Sequence, residues 1–231
     1  MHVTLPISYK GTHAWQASPV EGEIYVAGID VAGEERPNPD GTPSRTRDST
    51  VVTIGRVRYN ELMLPEIAVV HHQWWTGMQY TEQYAAVCSL VETWNLRAIV
   101  IDQTGLGHGL AAMLVTKFNS KDHEPVMPFT FSRPSKSRLA YQFLSLTNQG
   151  RLKLYKGGPR ETTEECWDQL RKARYRLPAP EMMDFYVEQS EEHDDFLISL
   201  ALVCEGLEQL VRPAESTIVK PVQLYGGESP Y

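Results

Sequence analysis

Two short apolar segments of the sequence each end in a single aspartate that is followed by glycine. Residues 24–29 lead into Asp30, and residues 98–101 lead into Asp102. Apolar runs of this length, rich in β-branched residues, predict strands that are buried on both faces of a sheet. Because ligands of open α/β sheets bind at the carboxyl ends of strands, we expect the two carboxylates to meet at one edge. The structural alternative is that aspartate simply favours turns at strand ends.

A third acidic group opens the last amphipathic helix, where His193 is followed by Asp194 and Asp195. Acidic residues at a helix N-terminus ordinarily cap free amides and oppose the helix dipole, which explains one of them more easily than two. If this helix packs on the sheet, three or four carboxylates share a small volume and raise one another's pKa values. A divalent cation would relieve that repulsion, and oxygen ligands select Mg²⁺ or Mn²⁺ over zinc. Two such ions about 4 Å apart can hold the attacking and leaving oxygens of a phosphodiester displacement.

The hydrophobic periodicity predicts an α/β fold that would position these carboxylates. Three sequential strands with hairpin-length links favour an antiparallel three-strand meander. The order β-β-β-α-β-α-β that begins the chain then predicts a mixed β-sheet, with parallel strands added to the meander and helices on both faces. The predicted strands are 23–30, 49–58, 66–75, 97–102, 126–131, 151–155 and 182–188, and the predicted helices are 79–95, 106–119, 135–148, 161–176 and 194–210.

Length and composition indicate one large domain with tails. The chain has 231 residues, of which 42% are hydrophobic, and this is enough for a sizeable core. We expect a linker or N-terminal arm over 1–22, the domain over 23–210 and a C-terminal tail over 211–231. The sequence has three widely spaced cysteines and no CxxC pair, which predicts buried thiols and neither a disulfide frame nor a zinc site. It contains no apolar run of membrane-spanning length.

Positive charge is concentrated in one part of an acidic chain. The net charge is −7, yet residues 132–176 hold eleven Lys/Arg against four Asp/Glu, so this segment carries +7 and the remainder −14. Such a segment could follow a phosphate backbone, or it could be an ordinary solvated surface. Residues 151–188 are the best candidate for a flap or β-hairpin over a DNA groove. The candidate DNA-binding residues are Arg133, Lys136, Arg138, Arg151, Lys153, Arg171 and Lys172.

Four motifs together resemble a known nuclease family. They are residues 28–33, 48–52, 101–107 and 193–202, and the His-Asp-Asp helix start is the most specific of them. In this order they resemble the nuclease domain of the terminase large subunit of tailed bacteriophages, within the ribonuclease H-like nuclease superfamily. The similarity spans roughly residues 23–210.

The resemblance implies a metal-dependent DNA endonuclease that cuts concatemeric viral double-stranded DNA during genome packaging. It implies Asp30, Asp102 and Asp195 as catalytic residues that hold two Mg²⁺ or Mn²⁺ ions. Asp194 remains an alternative to Asp195, because spacing does not separate them, and Asp48 would support a metal directly or through water. Lys136 matches a position where family members often carry a basic residue near the DNA.

The resemblance also implies partners and a location. The partners would be double-stranded DNA, the ATPase domain of the same polypeptide, the portal protein and the small terminase subunit, with no membrane. A viral protein of this kind acts in the host cytoplasm and is not a stable component of the virion. The sequence contains no GxxxxGK[ST] P-loop, so we expect an excised nuclease domain without its motor.

Two other functions fit parts of the pattern. Actin-like and sugar-kinase-type ATPases share the ribonuclease H-like core and its Asp-x-Gly turns, but they need two such domains. A non-catalytic DNA-binding packaging module could use the same fold, although the acidic positions are all present together. His71 and His72 are adjacent in a predicted strand, so their side chains point to opposite faces and are not expected to share a metal.

Overall fold

The mixed sheet expected from the sequence forms the centre of the molecule. The computed structural model describes residues 3–4, 10–32, 49–105, 107–187 and 193–211. Within these residues, seven strands form the large sheet and three form a smaller antiparallel one. The elements are β1 (Val3–Thr4), β2 (Lys10–Ala14), β3 (Ile24–Asp30), β4 (Ser49–Tyr59), β5 (Pro65–Thr76), α1 (Tyr80–Trp94), β6 (Ala98–Asp102), α2 (Gly107–Phe118), β7 (Val126–Phe129), α3 (Arg133–Asn148), β8 (Leu152–Lys156), α4 (Arg160–Lys172), β9 (Ala173–Ala179), β10 (Met182–Val187) and α5 (Asp195–Val211).

The large sheet has the strand order β2-β8-β5-β4-β3-β6-β7. Strands β3, β4 and β5 form the predicted antiparallel meander. Beyond β3 the sheet continues in parallel through β6 and β7, and beyond β5 it continues in parallel through β8 and β2. The predicted α/β class, with an antiparallel meander extended by parallel strands, is therefore confirmed.

Helices cover both faces of this sheet. One apolar cluster joins alternate strand residues to α3, α4 and α5, and a second joins the intervening residues to α1 and α2. Every residue of α5 from Asp195 to Leu207 is buried. This helix lies directly on β3, where a Cβ atom added at Gly28 would overlap the backbone carbonyl of Ser199. The close contact brings the first turn of α5 to the end of β3 that carries Asp30.

Three expectations about the chain's organisation need correction. Residues 10–14, expected to be part of an arm without regular structure, form β2 and pair with β8 at the edge of the sheet. The segment 151–188 is not a flap as a whole, because β8 lies inside the large sheet between β2 and β5. The predicted helix over 161–176 ends at Lys172, since Ala173 is extended and begins the β9–β10 hairpin. Only this hairpin corresponds to the predicted β-hairpin insertion.

The structure also shows the environment of the three cysteines and the character of the helices. Cys88, Cys166 and Cys204 are all buried free thiols, as predicted. None of the helices in the described ranges combines the length and the apolar character that crossing a bilayer would require.

Candidate metal centre

The carboxyl ends of two neighbouring parallel strands carry Asp30 and Asp102. Strands β3 and β6 pair in register through Ile29 and Ile101, so the aspartates that follow these residues are neighbours at the sheet edge. Helix α5 begins at Asp195, directly after Asp194.

These four carboxylates line one open pocket of about 360 Å³. Such an arrangement is the one expected from the sequence, and it depends on α5 packing against the strand ends. The other residues of the wall are Val31, Ala32, Ser49, Thr104, Phe131, Lys136 and Ile198.

Asp195 is held at the start of β4. Its side chain is buried, and its Oδ2 atom accepts a hydrogen bond from the backbone N–H of Ser49 at 3.2 Å. The Ser49 hydroxyl is in turn 2.7 Å from the Thr76 hydroxyl on the neighbouring strand β5. The first residue of α5 is therefore tied to the meander by a charge-assisted bond.

Asp102 is oriented by the turn that follows β6. The backbone N–H of Thr104 donates to Oδ1 of Asp102 at 2.7 Å, and the hydroxyl of Thr104 accepts from the N–H of Phe131 at 3.0 Å. Burial raises the pKa of Asp102, and the hydrogen bonds from Thr104 only partly oppose this. The carboxylate is thus fixed in a site where its charge is poorly solvated.

Asp194 is also partly buried, and it lies near the positive charge of Lys136 on α3. Burial raises the pKa of Asp194, while the positive charge of Lys136 acts in the opposite direction. The ammonium of Lys136 lies 3.2 Å from Oδ1 of Asp184 on β10. Asp184 is also bonded by Arg176 at 2.7 Å, and although burial opposes the change, Arg176 and Lys136 lower the pKa of Asp184. Lys136 therefore links the acidic pocket to the β9–β10 hairpin.

The first turn of α3, which carries Lys136, has a reciprocal cap. The hydroxyl of Ser132 accepts from the N–H of Ser135 at 3.2 Å, and the Ser135 hydroxyl accepts from the N–H of Ser132 at 2.7 Å. This capping box satisfies two amides at the helix start and fixes the turn beside the pocket. Pro134 within the first turn suits the same start, because its missing N–H needs no partner there.

The donor chemistry of the pocket suits a hard divalent cation, although its side chains are not yet arranged around one. In the described part of the chain, no group of three or more His, Cys, Asp or Glu side chains converges closely enough to hold a metal ion. The four aspartates nevertheless share one pocket, and burial raises the pKa of both Asp102 and Asp194. All-oxygen donors of this kind match Mg²⁺ or Mn²⁺, provided that the side chains rotate inward. Asp48, the remaining predicted ligand, lies outside the described residues.

The predicted DNA-binding residues do not form one surface. Arg133 and Lys136 line a second pocket of about 480 Å³, which adjoins the acidic pocket through Phe131 and Lys136. Arg138 and Arg151 instead line a separate pocket of about 270 Å³, where Arg138 pairs with Glu205. The remaining members lie elsewhere: Lys153 on β8, and Arg171 and Lys172 on α4, paired with Asp168. Contact of any of these residues with DNA stays a prediction.

Some of the supporting residues have weak signals in the sequence, and others have none. Ser49 and Thr104 lie next to predicted aspartates, and an Asx turn after Asp102 could have been anticipated. Asp184 belongs to no recognisable motif, since it reaches Lys136 only through tertiary packing. His71 and His72 contact different aromatic groups on opposite faces of β5, as predicted.

The sheet order and the acidic edge define a ribonuclease H-like domain. A family model described as "Terminase RNaseH-like domain" matches residues 43–204, so the chain belongs to this family of terminase nuclease domains. No curated protein matches the chain significantly.

Solved structures of phage terminase nucleases share this fold. The large terminase nuclease from thermophilic phage G20c with bound magnesium is 19% identical, with a TM-score of 0.61 over 88% of this chain and 92% of that one. The large terminase nuclease domain of Thermus phage P74-26 is 19% identical, with a TM-score of 0.56 over 87% and 88%. The nuclease domain of the large terminase subunit of bacterial virus Sf6, solved with manganese, is 12% identical, with a TM-score of 0.50 over 82% and 89%. At these identities the likeness establishes the fold.

Proposed function

We propose that this chain is a metal-dependent DNA endonuclease that cuts concatemeric viral double-stranded DNA during genome packaging. The observation that carries the proposal is the pocket that Asp30, Asp102, Asp194 and Asp195 line together, in a chain of the terminase nuclease family. Hydrolysis of a phosphodiester needs stabilisation of negative charge on the attacking and leaving oxygens. A cluster of carboxylates cannot supply this alone, but it can hold the cations that do.

Mg²⁺ or Mn²⁺ would be held by Asp30, Asp102 and Asp195, with Asp194 as a further ligand. Magnesium in the phage G20c nuclease and manganese in the Sf6 nuclease, together with cobalt and zinc in other G20c structures, support a divalent metal at this site. When bound, a pair of such ions supplies Lewis-acid stabilisation and lowers the pKa of the hydrolytic water. No side chain is then needed as a general base.

The chain's own residues would bind and orient the substrate around that centre. Lys136 lines the pocket and its ammonium is paired with Asp184, so exchanging Asp184 for a substrate phosphate would let it neutralise charge next to the bond that is cut. Arg133 lies in the adjoining pocket and can hold a phosphate further along the strand. Since phosphate contacts position a nucleic acid without reading its bases, we expect little sequence preference.

The same proposal assigns partners and a place of action. Cutting during packaging requires the ATPase domain of the same polypeptide, the portal protein and the small terminase subunit, and it takes place in the host cytoplasm. Family membership supports only the link to a terminase, and the specific partners and the place of action follow from the proposed role.

The test is nicking of supercoiled plasmid with Mn²⁺ or Mg²⁺. Asp30→Asn and Asp102→Asn should each lower the rate at least about 100-fold, which is the upper end of the loss seen when residues that only orient metal ligands are changed. Asp122→Asn changes an exposed aspartate outside the pocket and should cut as the wild type does. Cutting in EDTA, or cutting at the wild-type rate by both pocket variants, would exclude this mechanism. ATP binding without DNA cutting would instead favour the actin-like or sugar-kinase-type alternative.

A further inference from the structure

In the first turn of α5, one of the two amides that Asp194 could cap is bonded by a residue of another helix. The backbone N–H of Ile198 donates to the carbonyl of Asp194 at 2.8 Å, so Asp194 is the N-cap residue of this helix. An N-cap carboxylate ordinarily accepts a hydrogen bond from the amide two or three residues further on. For Asp194, the first of these amides belongs to Phe196.

That amide already has another partner. The N–H of Phe196 donates to Oε1 of Gln169 at 2.9 Å, and this bond is buried. Gln169 lies on α4, and its side chain is only 2% exposed. Its amide orientation is fixed at the other end, where Nε2 donates to Oε1 of Glu165 at 2.9 Å. A side chain from a different helix therefore caps the helix that carries the acidic pair.

We propose that Gln169 is a positioning residue, which caps α5 in place of Asp194 and so keeps the Asp194 carboxylate available to a divalent cation. The inference rests on the proposed function. Without Gln169, the amide of Phe196 would be buried with no acceptor, which is unfavourable unless another acceptor turns towards it. The nearest candidate by helix geometry is the carboxylate of Asp194, and a carboxylate engaged in capping is a poorer metal ligand.

Three variants separate the acceptor from the size and charge of the side chain. Gln169→Met keeps the volume and removes the acceptor. Glu165→Gln with Gln169→Glu exchanges the two groups, so that a carboxylate at position 169 still accepts from Phe196 and from the new amide at position 165. Glu165→Gln alone is the matched control, since its amide oxygen can still accept from Gln169.

The first readout is Mn²⁺ binding to the full chain, measured by electron paramagnetic resonance of the free ion. Gln169→Met should weaken binding about 10–100-fold, the range seen for residues that orient metal ligands. The exchanged double variant and the control should bind as the wild type does. Equal loss in Gln169→Met and the double variant would overturn the inference, because the acceptor would then not be what matters. Unchanged binding by a folded Gln169→Met would overturn it as well.

A second readout needs no variant. Hydrogen exchange of the Phe196 amide in the wild type should be equally slow with and without Mn²⁺, because Gln169 caps the helix in both states. Faster exchange on Mn²⁺ addition would show that Asp194 had been the cap and would overturn the inference. The two proposals fail differently: a wild type that binds Mn²⁺ and nicks DNA, with no effect of Gln169→Met, removes only the role of Gln169. A wild type that neither binds Mn²⁺ nor nicks DNA removes the proposed function and the inference with it.

Discussion

Two groups of polar side chains near the first turn of α5 respond differently to burial. On one side are the aspartates of the acidic pocket, of which Asp195 is buried and the other three are partly exposed. On the other side His72 lies in the core, with its Nδ1 3.0 Å from the Tyr155 hydroxyl and its ring against Tyr155 and Phe196. Burial shifts the pKa values of both groups towards the neutral form, raising those of Asp102 and Asp194 and lowering that of His72 to about 3.

The two groups differ in how the charged form could be stabilised. The neutral form suits His72, because its ring packs in the core and its Nδ1 has an uncharged hydrogen-bond partner. The aspartates stand at an opening, where a cation can enter and stabilise their charged forms. Desolvation thus keeps His72 neutral in the core. In the pocket it destabilises the charged aspartates, which a bound cation would stabilise. Three experiments break or sharpen this contrast.

Removing the aromatic wall between the two regions should have the largest effect. Phe196 is fully buried and packs against His72 and Trp74, with ring centroids 5.3 and 5.7 Å away. Phe196→Ala should cost about 3–5 kcal/mol of unfolding free energy in urea, since it leaves a cavity. Leu177→Ala, at a hairpin residue that is 57% exposed, is the control and should stay within about 0.5 kcal/mol. A small loss for Phe196→Ala would mean that the two regions do not depend on a common wall.

Acidification should destabilise the fold through His72, which must stay neutral in the core. His72 has a pKa of about 3 in the fold against 6.5 for the free side chain, so the unfolded chain binds more protons and stability falls as pH drops below 6.5. Between pH 7 and pH 5 this group should account for a loss of about 2 kcal/mol, measured by urea unfolding.

His72→Gln, which does not titrate but can still bond Tyr155, should lose that part of the pH dependence. His123→Gln, at an exposed histidine, should keep it. If His72→Gln and the wild type show the same pH dependence, the buried histidine is not its source.

Neutralising one pocket carboxylate should give the smallest change in stability. Unlike the two changes above, it should stabilise the metal-free fold. Burial raises the pKa of Asp102 above its value in the unfolded chain, so ionisation destabilises the metal-free fold, and the cost is fully present above the folded pKa. In EDTA at neutral pH, Asp102→Asn should therefore raise Tm above that of the wild type, measured by thermal unfolding. Mn²⁺ should raise the Tm of the wild type and much less that of the variant. A lower Tm in EDTA would show that the aspartate is primarily structural.

Local sequence patterns predicted most of the helices and strands. They failed where a segment forms a strand only because a neighbouring strand pairs with it. The apolar runs before Asp30 and Asp102 have a composition that only a buried strand suits, so β3 and β6 were predictable to within one residue. Residues 10–14 are polar in sequence, and they become a strand only because the edge of β8 offers them backbone partners. The start of the hairpin at Ala173 was missed for a related reason. The basic residues that follow Ala173 have a spacing that suits a helix, and they form a strand because β10 pairs with them.

The sequence by itself determined which residue types stand at the strand ends and at the start of α5, because strand and helix signals act over a few neighbouring residues. It therefore determined the aspartates and the class of ion that they suit. Only the tertiary structure decided that Asp30, Asp102, Asp194 and Asp195 share one pocket, because this depends on α5 lying against β3 at Gly28. The same holds for Gln169, whose bond to Phe196 joins residues 27 positions apart and exists only once α4 and α5 have packed.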